Sequence, residues 1–170
     1  MSNKNRQAII ESLLKTNWEL AVTLTFHYNI TEARANKTLR RWWNEVDRKY
    51  YGNAVKRQAK RTKRACLIEK GKSGTNYHYH IHAKRPEDRD ISLKKYMQML
   101  ELRWKRLSSA GYVNEFEPNT NNIAWATYTT KEITATNTDA LDPTGWFRRT
   151  QCVKSTDLFY NNEEFYLEGI

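Results

Sequence analysis

Residues Arg64 to Ala83 read RACLIEKGKSGTNYHYHIHA, two strand-like stretches on either side of a connection rich in glycine and polar residues. The first stretch, Arg64 to Glu69, is largely apolar, and the second, Tyr77 to Ala83, alternates between two kinds of side chain. Short connections of this composition join antiparallel strands. The segment therefore predicts a β-hairpin at the centre of the fold.

The sequence on both sides of this hairpin alternates between strand and helix patterns. A stripe of apolar residues at three- and four-residue steps marks a helix that packs on a sheet. The predicted elements are, in order, a strand over Glu19 to His27, a helix over Thr31 to Tyr51, the hairpin strands, a helix ending near Ser108, a strand over Tyr112 to Phe116 and a helix over Asn122 to Ile133. This β-α-β-β-α-β-α order predicts an α+β, ferredoxin-like split βαβ fold, with an antiparallel sheet and helices on one face.

A chain of 170 residues with 39% hydrophobic content can form one compact domain. We expect a single domain over residues 1–170, with a core at about 20–135 and a C-terminal extension, 136–170, whose structure the sequence does not define. Within that extension, Asp157 to Glu168 is acidic and has no Lys or Arg. This segment could cover a basic surface, cap an edge strand or stay flexible.

The formal charge of +10 is concentrated between residues 34 and 64. Such a cluster favours a polyanionic partner, although a charge run is also common on an ordinary solvated surface. The basic residues interleave with aromatic ones, as in proteins that bind single strands, but Trp42 and Trp43 also fit the inward stripe of the helix. The candidate nucleic-acid-binding residues are Arg40, Arg41, Arg48, Lys49, Lys56, Arg57, Lys60, Arg61, Lys63 and Arg64.

Cysteine usage and hydropathy exclude several other classes. The two cysteines, Cys66 and Cys152, form no CxxC pattern and indicate neither a disulfide framework nor a zinc site. No apolar run approaches the roughly 20 residues that cross a bilayer, and the N-terminal MSNKNRQ is unlike a secretory signal. We expect a cytoplasmic protein with no membrane partner.

Three of the four histidines, His78, His80 and His82, alternate within the second hairpin strand. Imidazoles two residues apart on a strand share a face and stand about 7 Å apart, close enough to bind one cation. Glu69, on the partner strand, is the expected third ligand. Either His78 and His80 or His80 and His82 satisfy the spacing. This donor set suits Mn²⁺ or Mg²⁺, with Zn²⁺ as an alternative.

Tyr128 is a candidate nucleophile on the last predicted helix. Lys131 follows it at i+3, on the same side of a helix. A tyrosine with a pKa near 10 needs a neighbouring cation or metal to attack phosphorus at neutral pH, and Lys131 is placed to assist. A lone tyrosine is more often a packing residue, so this assignment depends on its combination with the histidines.

The order of these motifs resembles the HUH endonucleases. The chain has the apolar strand AVTLTF, then Glu69 with HYH downstream, then Tyr128-x-x-Lys131. It is most similar to the single-tyrosine replication initiators of rolling-circle plasmids and filamentous-type phages, in which the HYH stretch leads to an Arg-Pro such as Arg85-Pro86. The resemblance covers about residues 20 to 135.

This resemblance implies a set of functional expectations. It implies His78, His80 and Glu69 as metal ligands, leaving His82 as the alternate, with Tyr128 as nucleophile and Lys131 as its assistant. The implied activity is nicking and joining of single-stranded DNA at a replication origin through a 5′-phosphotyrosine intermediate. The expected partners are single-stranded DNA with an adjacent hairpin and a host helicase, since the chain has no GxxxxGK[ST] motif. A monomer is favoured.

Two alternative functions are compatible with the same residues. A single-tyrosine HUH transposase would use the same chemistry in obligate dimers. A non-catalytic ferredoxin-like module that binds nucleic acid would account for the fold and the charge without any chemistry.

Overall fold

The sheet at the centre of the fold has helices packed on both of its faces. The computed structural model describes residues 4–27, 30–71 and 76–133 and the backbone of 159–160. Its strands are β1 (Leu20–Thr25), β2 (Arg64–Glu69), β3 (His78–Ala83), β4 (Glu115–Pro118) and β5 (Phe159–Tyr160). They form one antiparallel sheet in the order β4-β1-β3-β2-β5.

The helices are α1 (Lys4–Leu14), α2 (Glu32–Tyr51), α3 (Ala54–Arg57), α4 (Leu93–Lys105) and α5 (Asn122–Thr129). The α+β, ferredoxin-like class with an antiparallel sheet is confirmed, while the element order also contains α1, α3 and β5, which the predicted β-α-β-β-α-β-α series lacks. Two helices, α1 and α3, had not been predicted. In α1, Ile9 and Leu13 are fully buried while most other positions are polar, so the apolar stripe is too sparse to mark a helix by periodicity.

Helices α2 and α4 cover one face of the sheet. Their caps are Thr31 and Ser92, whose hydroxyls accept hydrogen bonds from backbone N–H groups of the first turn. Trp42 on α2 is fully buried and meets the ring of Trp104 on α4 edge to face, with centroids 5.4 Å apart. Trp43 is also buried, so both tryptophans of the basic helix belong to the core.

The opposite face carries the histidines and is covered by α1 and α5. Strand alternation directs Tyr79 toward α2, where its hydroxyl bonds to Asn36, and His80 toward α5, where its ring meets Tyr128. Arg6 of α1 donates to the carbonyl of Thr127 at 2.8 Å and so ties the two helices together. The single helical face that the sequence predicted thus holds for α2 and α4, and α1 and α5 form a third layer.

Two predicted boundaries shift for local reasons. The fourth strand begins at Glu115 rather than Tyr112, because the Asn114 side chain accepts a hydrogen bond from the Thr25 N–H and replaces strand pairing there. Helix α5 ends at Thr129 rather than Ile133; the Thr130 hydroxyl donates back to the carbonyl of Ala126, a contact that competes with helix continuation.

The C-terminal extension is described only at β5, which pairs with Arg64 and Ala65 at the edge of β2. Of the three alternatives for the acidic segment, this pairing matches the edge-strand cap; the rest of the extension lies outside the described residues. In the part of the chain that the structure describes, no helix combines the length and apolarity of a membrane span.

Candidate active site

Four predicted site residues converge at one end of the sheet. Glu69 is the last residue of β2, and its Oε2 lies 2.6 Å from Nε2 of His80 on β3. Lys131, just beyond α5, donates to the same Glu69 oxygen at 2.9 Å. The Lys131 Nζ lies 4.0 Å from the centroid of the Tyr128 ring. The tyrosine, the lysine, the carboxylate and one imidazole therefore form a single contact network.

Tyr128 is held at the surface with its ring fixed on both sides. Tyr128 is 48% exposed. Its ring stacks on Trp125, with centroids 5.7 Å apart and planes inclined by 16°, and meets the ring of His80 edge to face at 5.2 Å. An exposed phenol on a restrained ring can meet a phosphate from solvent without a large loss of side-chain entropy.

The charges of this network support one another. Burial raises the pKa of Glu69, but hydrogen bonds from Lys131 and His80 outweigh it, so the pKa lies below its usual value. Burial lowers the pKa of Lys131, yet its hydrogen bonds to Glu69 and Tyr128 hold it above the ordinary lysine value. Burial lowers the pKa of His80, with Glu69 opposing the shift. At neutral pH the site holds an ionised carboxylate, a charged ammonium and a neutral imidazole.

His82 takes no part in this network, although it lies on the same face as His80. It is fully buried, and its Nε2 lies 3.0 Å from the hydroxyl of Thr129 on α5. That hydroxyl donates to the Ala126 carbonyl, so it accepts from His82, and the imidazole is neutral with its proton on Nε2. Burial lowers the pKa of His82 to about 3. Its role in this geometry is to anchor the helix that carries Tyr128.

The predicted metal ligands are only partly assembled. Glu69 and His80 meet directly, and His78 pairs with Glu69 in the β2–β3 register and shares the histidine face. Within residues 4–27, 30–71 and 76–133, no three His, Cys, Asp or Glu side chains are close enough to form a metal site. A carboxylate and two imidazoles on one strand face are nevertheless ligand types that suit a divalent ion. The metal site therefore stays a prediction.

Two of the predicted DNA-binding residues were wrongly placed on the surface. Arg61 and Arg64 are buried, and both pair with the fully buried carboxylate of Asp47, at 3.5 Å and 3.0 Å. The Arg64 guanidinium also lies 4.4 Å from the Trp43 ring centroid. A buried charge is stable only when it is paired. These two arginines therefore belong to the interior and cannot contact phosphates.

The other candidate basic residues are accessible to different extents. Exposed positions are Arg41, Arg48, Lys49, Lys56 and Arg57; partly buried ones are Arg40, Lys60 and Lys63. Lys60 pairs with Asp88 at 2.5 Å. The segment that follows α3 enters β2 at Arg64. Glu69 lies five residues further along this strand, about 17 Å from Arg64 at about 3.3 Å per residue. This basic segment thus lies at the opposite end of the sheet from Tyr128.

Two functional contacts had not been predicted. Trp125 supports Tyr128 by stacking, and its position three residues earlier on the same helix is a signal that the sequence did carry. Thr129 anchors α5 to His82, and nothing in its local sequence indicates this. Comparison of the chain with models of known protein families, with curated proteins and with solved structures gave no match.

Proposed function

We propose that this protein is a metal-dependent, single-tyrosine endonuclease that nicks and rejoins single-stranded DNA, in the manner of the HUH initiators. The observation that carries the proposal is the placement of Tyr128. Its exposed phenol lies against His80 and Lys131, and both of those contact Glu69. A tyrosine with only a packing role would not need a cation, a carboxylate and an imidazole gathered around it.

The proposed reaction is one transesterification at phosphorus. The Tyr128 oxygen attacks the scissile phosphate, its proton passes to solvent, and a bond from the tyrosine oxygen to phosphorus forms. The bond from phosphorus to the 3′ oxygen breaks, and that oxygen takes up a proton to leave as a 3′ hydroxyl. Because one phosphodiester replaces another, the 3′ hydroxyl can reverse the step without ATP.

Lys131 supplies the positive charge for this step. Its ammonium lies beside the phenol and is held there by Glu69, so it stabilises negative charge that develops on the tyrosine and the phosphate. His78, His80 and Glu69 would hold a divalent ion, Mn²⁺ or Mg²⁺, with Zn²⁺ as an alternative. Such an ion supplies polarisation of the scissile phosphate.

The biological role follows from this chemistry by resemblance. A nick that preserves a 3′ hydroxyl can prime rolling-circle replication of a phage, plasmid or similar mobile element. We therefore propose action in the host cytoplasm on a single-stranded origin with an adjacent hairpin, as a monomer, with unwinding by a host helicase.

The test uses tyrosine variants and a substrate pool. Fluorescent single strands with a randomised core are incubated with the protein and Mn²⁺, and covalent complexes are separated on a denaturing gel. We expect an adduct with the unmodified protein and none with Tyr128→Phe. Tyr50→Phe is the matched control, because it also removes one hydroxyl, here a buried one on α2 with no hydrogen-bond partner among the described residues, and should leave the adduct unchanged.

The same assay separates the rival functions. An adduct that persists in Tyr128→Phe means that the nucleophile is another residue. DNA binding without any adduct indicates the non-catalytic module. If Tyr128→Phe and a variant with Ala at both His78 and His80 restore activity when mixed, the tyrosine acts in trans and the transposase is favoured.

A further inference from the structure

A pocket of about 470 Å³ opens where the chain leaves β1. Its lining includes His27, Lys105, Arg106, Leu107 and Tyr112. None of these residues belongs to the Tyr128 network. The pocket combines two aromatic rings with two cationic side chains, and its volume is in the range of small-molecule sites.

The aromatic wall of this pocket is open to solvent, and the backbone beside it packs closely on β1. Tyr112 is 90% exposed, and its ring meets that of His27 edge to face, with centroids 4.9 Å apart. The preceding Gly111 donates its N–H to the Thr25 carbonyl at 2.8 Å, and a Cβ at this glycine would lie 2.3 Å from the Thr25 hydroxyl oxygen. The loop backbone is therefore held close to β1, and the Tyr112 ring, apart from its contact with His27, is open to solvent.

The cations of the pocket differ in how they are engaged. Lys105 pairs with Glu101 at 2.6 Å on the exposed surface of α4, a contact of little energetic consequence. Arg106 is exposed at the C-terminal end of α4. An outward aromatic face beside an arginine is the combination that binds a base and its phosphate in single strands.

The pocket lies beside the end of β1, where the loop after α4 reaches the face of the sheet that carries the histidines. Thr23 and Thr25 of β1 share the histidine face, where Thr23 contacts His80 at 3.4 Å and the Thr25 hydroxyl donates to the carbonyl of Val113, next to Tyr112 in the loop. Across that face, Thr25 pairs with His78 and His78 pairs with Glu69. Two strand spacings of about 4.8 Å separate Thr25, the last residue of β1 and the one nearest the pocket, from Glu69. This distance is about 10 Å in all.

From this juxtaposition we infer that the pocket binds one base of single-stranded DNA, stacked on Tyr112, with Arg106 on a neighbouring phosphate. This base belongs to the DNA segment next to the phosphate that Tyr128 attacks. The identification of the ligand as DNA rests on the proposed function; the stacking site itself rests on the geometry of His27, Arg106 and Tyr112.

The test measures binding without chemistry. A fluorescein-labelled twelve-residue oligodeoxythymidylate is titrated in EDTA into protein carrying Tyr128→Phe, and Kd is read from anisotropy at several salt concentrations. Adding Tyr112→Ala should raise Kd about tenfold, whereas Tyr112→Phe, which keeps the ring, should stay within about twofold. Arg106→Ala should lower the salt slope by about 0.7. Lys94→Ala, an exposed cation on the same helix, is the control and should not change Kd or the slope beyond a small general charge effect.

Each outcome separates this inference from the nicking proposal. Equal Kd for Tyr112→Ala and Tyr112→Phe, or no binding of the oligonucleotide at all, overturns the pocket inference, and an adduct at Tyr128 would leave the nicking proposal standing. A tenfold higher Kd for Tyr112→Ala, in a protein that never forms an adduct, supports the pocket inference and excludes the nicking proposal. Because Tyr112 is 90% exposed, its substitution should leave the thermal unfolding midpoint unchanged, which the same samples report.

Discussion

Substituting His82 with Gln should change how the stability of the protein depends on pH. His82 is fully buried and neutral, and burial lowers its pKa from 6.5 to about 3. In the unfolded chain the imidazole gains a proton below pH 6.5, whereas in the folded protein it stays neutral until about pH 3. Above pH 6.5 the imidazole is neutral in both states, so it does not change the free energy of unfolding. As the pH falls from there toward the folded pKa, the free energy of unfolding decreases.

The size of this loss can be worked out for two convenient pH values. Between pH 7 and pH 5, about 1.5 pH units lie below the unfolded pKa, and each contributes about 1.4 kcal/mol, for a total of about 2 kcal/mol. Gln is neutral in both states, so the His82→Gln variant lacks this component. Urea unfolding of both proteins at pH 7 and pH 5 should show that the unmodified protein loses about 2 kcal/mol more than the variant.

The opposite result has a clear meaning. If both proteins lose the same free energy of unfolding between pH 7 and pH 5, His82 takes up a proton in the folded state. It would then be accessible to solvent, and the pair His80 and His82 would again compete with His78 and His80 as the metal-binding pair.

Two further predictions concern the buried charges and the catalytic cation. Asp47→Ala should lower the free energy of unfolding by about 3–5 kcal/mol, because it leaves buried arginine charges without a partner; Asp88→Ala, which breaks an exposed pair, should cost less than about 1 kcal/mol in the same urea experiment. Equal losses would show that the Asp47 cluster is solvated. Lys131→Ala should slow adduct formation about 100-fold while Lys131→Arg keeps part of the rate; an unchanged rate in the Ala variant would exclude electrostatic assistance from this residue.

The sheet and its hairpin were largely predictable because the signals there are local. β2 has the predicted bounds, Arg64 to Glu69, and β3 begins one residue after the predicted Tyr77. Alternation along β3 was enough to separate Tyr79 and Ile81, which face α2 and α4, from the histidines on the opposite face. The spacing of Tyr128 and Lys131 likewise follows from helical geometry, and the structure brings both to Glu69.

The features of the fold and site that the sequence did not predict depend on contacts between distant segments. Arg61 and Arg64 look like surface charges until the fold brings Asp47 of α2 beneath them. His82 is equivalent to its neighbours in the strand pattern, and only the docking of α5 gives it Thr129 as a partner. The pocket at Tyr112 forms because the loop after α4 lies against the end of β1, a contact that no periodicity reports.

The most direct test of the central claim is to locate the covalent bond. The protein is incubated with the randomised single strands and Mn²⁺, digested with nuclease and protease, and analysed by tandem mass spectrometry. The account predicts a nucleotide attached through its 5′ phosphate to Tyr128 and a free 3′ hydroxyl on the released strand. Cleaved DNA with the nucleotide on another residue, or with no protein attachment at all, would contradict it.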